Sequence, residues 1–166
     1  MEFTFENIIS IVLVLFTGLS AGLCFTWGNA ITPGIGRLDD LGYLMAFQRM
    51  NSAILNPLFF VVFFGPFLLG VGNLYVFRNA TGSLLWLFGV ALALYFLGVV
   101  LVTLFGNVPL NEALDKADLS TATNEGLRTL RNAFEMKWNR FHLIRTLSAT
   151  TSFLVLLISL LHTANK

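Results

Sequence analysis

The sequence predicts an all-α fold: a four-transmembrane-helix antiparallel bundle with an amphipathic helix before the fourth span. Three observations predict it. Of 166 residues, 56% are hydrophobic and only 11% charged, whereas charged residues make up about a quarter of a soluble domain. The charges leave four uncharged runs, at 7–36, 50–77, 79–111 and 146–165, each reaching the ~20 residues a spanning helix needs. Finally, 124–141 places Leu127, Leu130, Phe134, Trp138 and Phe141 at helical spacing among acids and bases, the pattern of an amphipathic helix running into the last span. The chain reads as a single membrane domain, 1–166, with apolar cores near 8–27, 55–74, 84–105 and 147–161 and a polar connection at 106–140.

The first run lacks the basic lead and small-residue cleavage site of a secretion signal and is too long for one, so a retained helix is expected. Gly18 and Gly22 stand four apart with Ala21 beside them, a surface that would let another helix approach closely. Cys24 is the sole cysteine, which excludes an intramolecular disulfide and a CxxC redox pair. The second connection, 73–82, is short, so the second and third spans should be antiparallel neighbours. Its Asn79-Ala80-Thr81 triplet matters as a glycosylation site only in a eukaryotic secretory host. The 17 phenylalanines are expected to face lipid or fill the bundle.

Of the ten Lys and Arg residues, eight (Arg37, Arg49, Lys116, Arg128, Arg131, Lys137, Arg140 and Arg145) fall at the end bearing the first and third connections; only Arg78 and Lys166 lie opposite. The positive-inside bias makes that first end cytoplasmic and both termini non-cytoplasmic, and Glu2 and Glu6 do not conflict with this. A net charge of +1 without a basic cluster gives no footprint for nucleic acid. The expected surroundings are the lipid bilayer, a lipophilic small molecule, and a homo-oligomer or membrane-complex partner.

Polar residues gather toward this same end. Pro33, Gly34 and Arg37 follow the first span; Gln48, Asn51, Asn56 and Pro57 mark the entry of the second; Thr103, Asn107 and Asn111 end the third; Trp138, His142, Arg145 and Thr146 begin the fourth. Gln48, Asn51 and Ser52 share one helical face, Thr103 and Asn107 are four apart, and Trp138, His142 and Arg145 follow i, i+4, i+7, so each set can point into the bundle. Polar groups at membrane depth need partners or a wet cavity, and amides can satisfy one another or the carbonyls that Pro57 and Pro109 free. Two arrangements satisfy that demand: a polar pocket, or a set of caps and anchors that ties helix ends together.

The chemistry available is narrow. The two histidines, His142 and His162, would stand ~30 Å apart on a straight helix and cannot clamp one haem. There is no HExxH, cysteine set, phosphate-binding glycine loop or nucleophile elbow, and no metal is expected. His142 is a candidate base, with the permanent cation Arg145 one turn away to keep it neutral.

Taken together, "GLSAGLCFTWGNAITPGIGRL", "FQRMNSAILNPLF", "YFLGVVLVTLFGNVPLN" and "WNRFHLIRT" resemble, in order and spacing, the anthrone oxygenase-like family of small four-span membrane proteins. The resemblance implies an oxygenase that converts an anthrone, a tricyclic phenolic ketone, to an anthraquinone with O₂ and without a cofactor. Removal of the acidic methylene proton leaves an electron-rich anion that can pass an electron to O₂ by itself. The protein's tasks are then to deprotonate, to stabilise the oxyanion and to exclude water. On this resemblance the catalytic residues would be His142 as base and Arg145 and Asn107 at the oxyanion, joined there by Gln48. Asn51, Thr103 and Asn111 would line the substrate site and Trp138 would stack on the rings. The alternative is a non-catalytic small membrane subunit, or a lipid- or partner-binding protein, in which these groups pair among themselves. A cavity lined by Gln48, Asn107, Trp138 and Arg145 separates the first reading from the second.

Overall fold

The computed structural model describes residues 4–80 and 82–164; Glu2, Thr81 of the Asn79-Ala80-Thr81 triplet and Lys166 lie outside them. Five helices account for the architecture, and no strand occurs among the described residues. Helix α1 runs Phe5–Ile35 with a wide π turn at Trp27–Ile31. It is followed by α2, Asp40–Ile54, and α3, Pro57–Val76. Helix α4, Gly82–Asp115, contains two π segments, Phe96–Leu101 and Thr103–Asn107, and α5 is one continuous helix, Asn124–Ala164. Helices α1, α3, α4 and α5 are each long and apolar enough to cross a membrane, as a multi-pass protein requires. The amphipathic stretch does run unbroken into the fourth span within α5.

Around the bundle α1 packs on α3 and α5, and α4 packs on α5 and, along its first half, on α3. Helix α2 lies across one end, against α5 and the last turns of α4. It closes that end with Tyr43, Leu44 and Phe47, all fully buried. Phe47 meets Phe134 edge-on at 4.7 Å and Trp138 at 4.8 Å; burying a ring this size contributes about 2–3 kcal/mol.

Sequence patterning treated α2 as the entry of the second span, yet the chain breaks between them. Leu55 leaves helical geometry, Asn56 caps α3 by accepting from Phe59 N at 3.0 Å, and Pro57 takes the first helical position. A proline disfavours helical geometry in the residue before it and needs no N–H partner at a helix start, so the break is local chemistry. The opposite correction applies at 106–115, expected as connection but helical to Asp115. Here Pro109 follows the π segment Thr103–Asn107 by two residues, and Pro33 follows Trp27–Ile31 by two. A wide turn just upstream makes room for a ring that would otherwise strike a carbonyl. Near Pro33 the Trp27 carbonyl also accepts from Thr32 Oγ1 at 3.3 Å.

Of the expected Gly18/Gly22 pair, only Gly18 stands at a close helix approach. A Cβ at Gly18 would meet Phe153 at 2.9 Å, but at Gly22 it would meet nothing within 4 Å. Helices α4 and α5 are also tightly apposed: a Cβ at Gly98 would land on Ser148 Oγ, and one at Gly106 would sit 2.8 Å from the Phe141 ring. Those glycines bring Thr103 and Asn107 next to Trp138 and Arg145.

Candidate functional site

A cavity of about 480 Å³ lies inside the end of the bundle that α2 closes, within the size range of small-molecule sites. On α1 the residues Ser20, Cys24 and Trp27 face it at i, i+4, i+7. Phe59, Val62 and Phe63 of α3 and Val108 of α4 give it apolar walls, while Thr103, Asn111, Trp138, His142 and Arg145 supply polar edges. Asn51 and Ser52 of α2 and Glu112 and Asp115 of α4 also line it; Ser52, Glu112 and Asp115 are exposed.

Behind the cavity wall Tyr95 forms a seal between α1 and α3: its hydroxyl donates to the Phe63 carbonyl at 2.8 Å. That spends the one phenolic proton, so Ser20 Oγ, also 2.8 Å away, donates to Tyr95. Beyond this seal, Phe67 and Phe96 stack at 4.8 Å and hold α3 to α4. On the cavity side of the seal the first turns of α3 make no extended contact with 103–115 of α4, and the cavity occupies the separation.

The two amides of Asn-Val-Pro-Leu-Asn both turn to Trp138. Asn107 Nδ2 donates to the Trp138 carbonyl at 3.3 Å, and Asn111 Oδ1 accepts from the indole N–H at 2.8 Å. They are four apart, on one face of α4 across Pro109, and that face is the one Gly106 lets close against α5. Trp138 is held further by His142, stacked on it at 4.8 Å and 15°, and by Arg145, whose guanidinium carbon lies 5.4 Å from the ring centroid.

Arg145 is the site's one cation. Its Nη2 is 2.8 Å from His142 Nδ1 and its Nη1 donates to Thr103 Oγ1 at 3.2 Å. No carboxylate lies within ion-pair distance of it among the described residues. Among the described residues, its Nε, Trp27 Nε1 and Asn51 Nδ2 are buried donors that belong to cavity-lining residues, lack a protein acceptor and have almost no surface open to the cavity. A buried cation without an anion is costly. The chemistry this arrangement offers is recognition of a negatively charged oxygen beside an apolar surface.

Residues 59–155, more than half the chain, match the family model described as anthrone oxygenase. The chain belongs to the anthrone oxygenase family. Neither a curated protein nor a solved structure matches it. Within this anthrone oxygenase family member the matched segment carries Thr103, Asn111, Trp138, His142 and Arg145, while Ser20, Cys24, Trp27 and Asn51 reach the cavity from helices that precede it.

Six of the residues singled out from sequence therefore share the cavity: Asn51, Thr103, Asn111, Trp138, His142 and Arg145. Two do not line it. Gln48 Nε2 donates to the carbonyls of Leu114 at 2.8 Å and Ala117 at 3.1 Å, capping the end of α4, because carbonyls at a helix C-terminus lack partners of their own. Asn107 is 1% exposed, behind Trp138. Ser20, Cys24, Trp27, Phe59 and Phe63 were not singled out. The i, i+4, i+7 spacing on α1 was the available signal, but it cannot be told from ordinary bundle packing.

Proposed function

We propose that the protein is an oxygenase of lipophilic anthrone-like phenolic ketones, with the α2 end of the bundle facing the cytoplasm. The observation that carries this reading is Arg145: a cation without a carboxylate partner among the described residues, on the wall of a largely apolar cavity of about 480 Å³. Family membership supports an oxygenase-like activity. The separation between the start of α3 and 103–115 of α4 supports entry of an apolar substrate from the bilayer.

In this mechanism the tricyclic ketone lies between Phe59 and Phe63 on one side and the Trp138 edge on the other, with its carbonyl oxygen toward Arg145. Loss of one methylene proton to solvent, past Glu112 and Asp115 at the exposed edge, gives an anion whose charge rests on that oxygen. Arg145 Nε, Trp27 Nε1 and Asn51 Nδ2, buried donors of lining residues that have no protein acceptor, turn to it as the oxygen enters. One electron passes from this carbanion to O₂, and the radical pair closes a C–O bond at the former methylene. Protonation gives a hydroperoxide; loss of the second C–H proton with cleavage of the O–O bond expels hydroxide, which leaves as water, and forms the quinone carbonyl. One ketone and one O₂ thus give one quinone and one water. An apolar, water-poor cavity strengthens each donor's grip on the anion.

The test is O₂ uptake by purified protein in lipid nanodiscs with anthrone as substrate. Uptake above the protein-free rate, with anthraquinone as product, is the expected result, and Arg145→Ala should remove the enhancement. No enhancement by the native protein, or equal rates in the variant, overturns the reading; a co-purified phospholipid filling the cavity would point to lipid binding in its place.

A further inference from the structure

His142 has the residue type of a base, but its surroundings assign it a different task. Arginine carries only donors, so the ring nitrogen facing Arg145 Nη2 at 2.8 Å, Nδ1, presents a lone pair. A carbonyl only accepts, so the nitrogen facing Cys24 O at 2.9 Å, Nε2, carries the proton. The two constraints come from different helices and select the same form, a neutral ring protonated on Nε2. Its single lone pair is already held by Arg145.

The ring has no freedom to turn that lone pair elsewhere. It is 4% exposed, stacked on Trp138 at 4.8 Å and pressed toward α1 at Gly28, where a Cβ would come within 3.4 Å of Nε2. The consequence falls on Arg145. One of its terminal nitrogens is fixed by His142 and the other by Thr103 Oγ1, whose own proton goes to Val99 O at 2.7 Å. A planar guanidinium pinned at two points, one on α4 and one on α5, has its orientation set.

We propose that His142 is a positioning residue: its Nδ1 lone pair, anchored through Nε2–H to the Cys24 carbonyl of α1, aims Arg145 at the anionic oxygen of the substrate and takes no proton from it. The orientation stands on the hydrogen bonds alone; the oxygen it serves rests on the reading of the site given above.

Two measurements test it. The first needs no substrate: ¹⁵N-histidine NMR of the full protein in nanodiscs, with His162→Gln to leave one imidazole. The expected spectrum has a protonated Nε2 and a bare Nδ1; the opposite tautomer overturns the proposal. The second is anaerobic titration with anthrone, read by absorbance of the bound anion, for the native protein, His142→Asn and His142→Leu. Asparagine keeps an acceptor near the place of Nδ1 and should bind the anion within about threefold of native, whereas leucine, which leaves Arg145 untethered, should weaken it roughly 10–100-fold. If the ring were the base, asparagine would fail as leucine does, and that result overturns the proposal. If native protein binds no anthrone anion, the substrate reading falls and the tautomer alone decides His142. It also decides if either variant fails to fold.

Discussion

Two arginines on α5, Arg131 and Arg145, stand fourteen residues apart, and the chain uses them in opposite ways. Arg131 is spent on the protein. Its Nε donates to Glu135 at 2.8 Å, Nη1 to Leu38 O at 2.9 Å and Asp40 at 3.2 Å, and Nη2 to Gly36 O at 2.8 Å, with the guanidinium 4.4 Å over Tyr43. It ties the connection between α1 and α2 to α5 and so holds the lid over the site. Arg145 has a hydroxyl, an imidazole nitrogen and the edge of Trp138, and no carboxylate among the described residues. What separates the two cations is how many of their donors and how much of their charge the fold has already satisfied.

The comparison breaks most sharply at Arg145. Arg145→Leu is expected to cost at least roughly 100–1,000-fold in kcat, the scale of removing an oxyanion donor. Its melting temperature in nanodiscs should not fall, because the change removes a charge that the fold leaves uncompensated. A large drop in melting temperature would class Arg145 with Arg131. The converse substitution, Arg131→Ala, should lower stability by about 2–4 kcal/mol in denaturant titration, given its charged hydrogen bonds and partial burial. Turnover per folded molecule should stay near native.

Removing one of the other unpaired donors gives a finer test. Trp27→Phe keeps an aromatic body and deletes Nε1–H, so turnover should fall about tenfold with little change in stability. A variant as active as native would leave the anion to Arg145 and Asn51. The smallest effect belongs to the exposed loop before α5, where Asp118 accepts from Ser120 N at 2.9 Å, Ser120 Oγ at 2.6 Å and Thr121 Oγ1 at 3.1 Å. The Ser120 hydroxyl bond, with the other two, holds this carboxyl below its ordinary range. A depressed carboxyl lends stability that is present above its unfolded value and is lost as pH falls through its folded one. Asp118→Asn should therefore flatten the acid side of the melting curve slightly and leave turnover unchanged.

Much of the site was legible because its residues repeat at helical spacing: Trp138, His142 and Arg145 on one helix, Thr103 and Asn111 on another. Spacing names the face a residue shares, not the neighbour that face meets. Gln48 and Asn51 were indistinguishable by that rule, yet Gln48 caps α4 and Asn51 lines the cavity. An amide satisfies a carbonyl as readily as it lines a pocket. Asn107 and Asn111 form a clasp on Trp138 for the same reason. Trp27 and Phe63 were invisible because an aromatic in an apolar helix looks alike whether it faces lipid, core or substrate.

By itself the sequence determined the four helices apolar enough to cross a membrane, the long last helix and the end of the bundle where polar groups collect, because hydropathy and charge act along the chain and need no partner. Only the tertiary structure decided which cation is satisfied, which amides are caps and which histidine nitrogen holds its proton. Each of those depends on an acceptor or donor supplied by a distant helix, and the sequence does not specify the few ångströms that bring the two together.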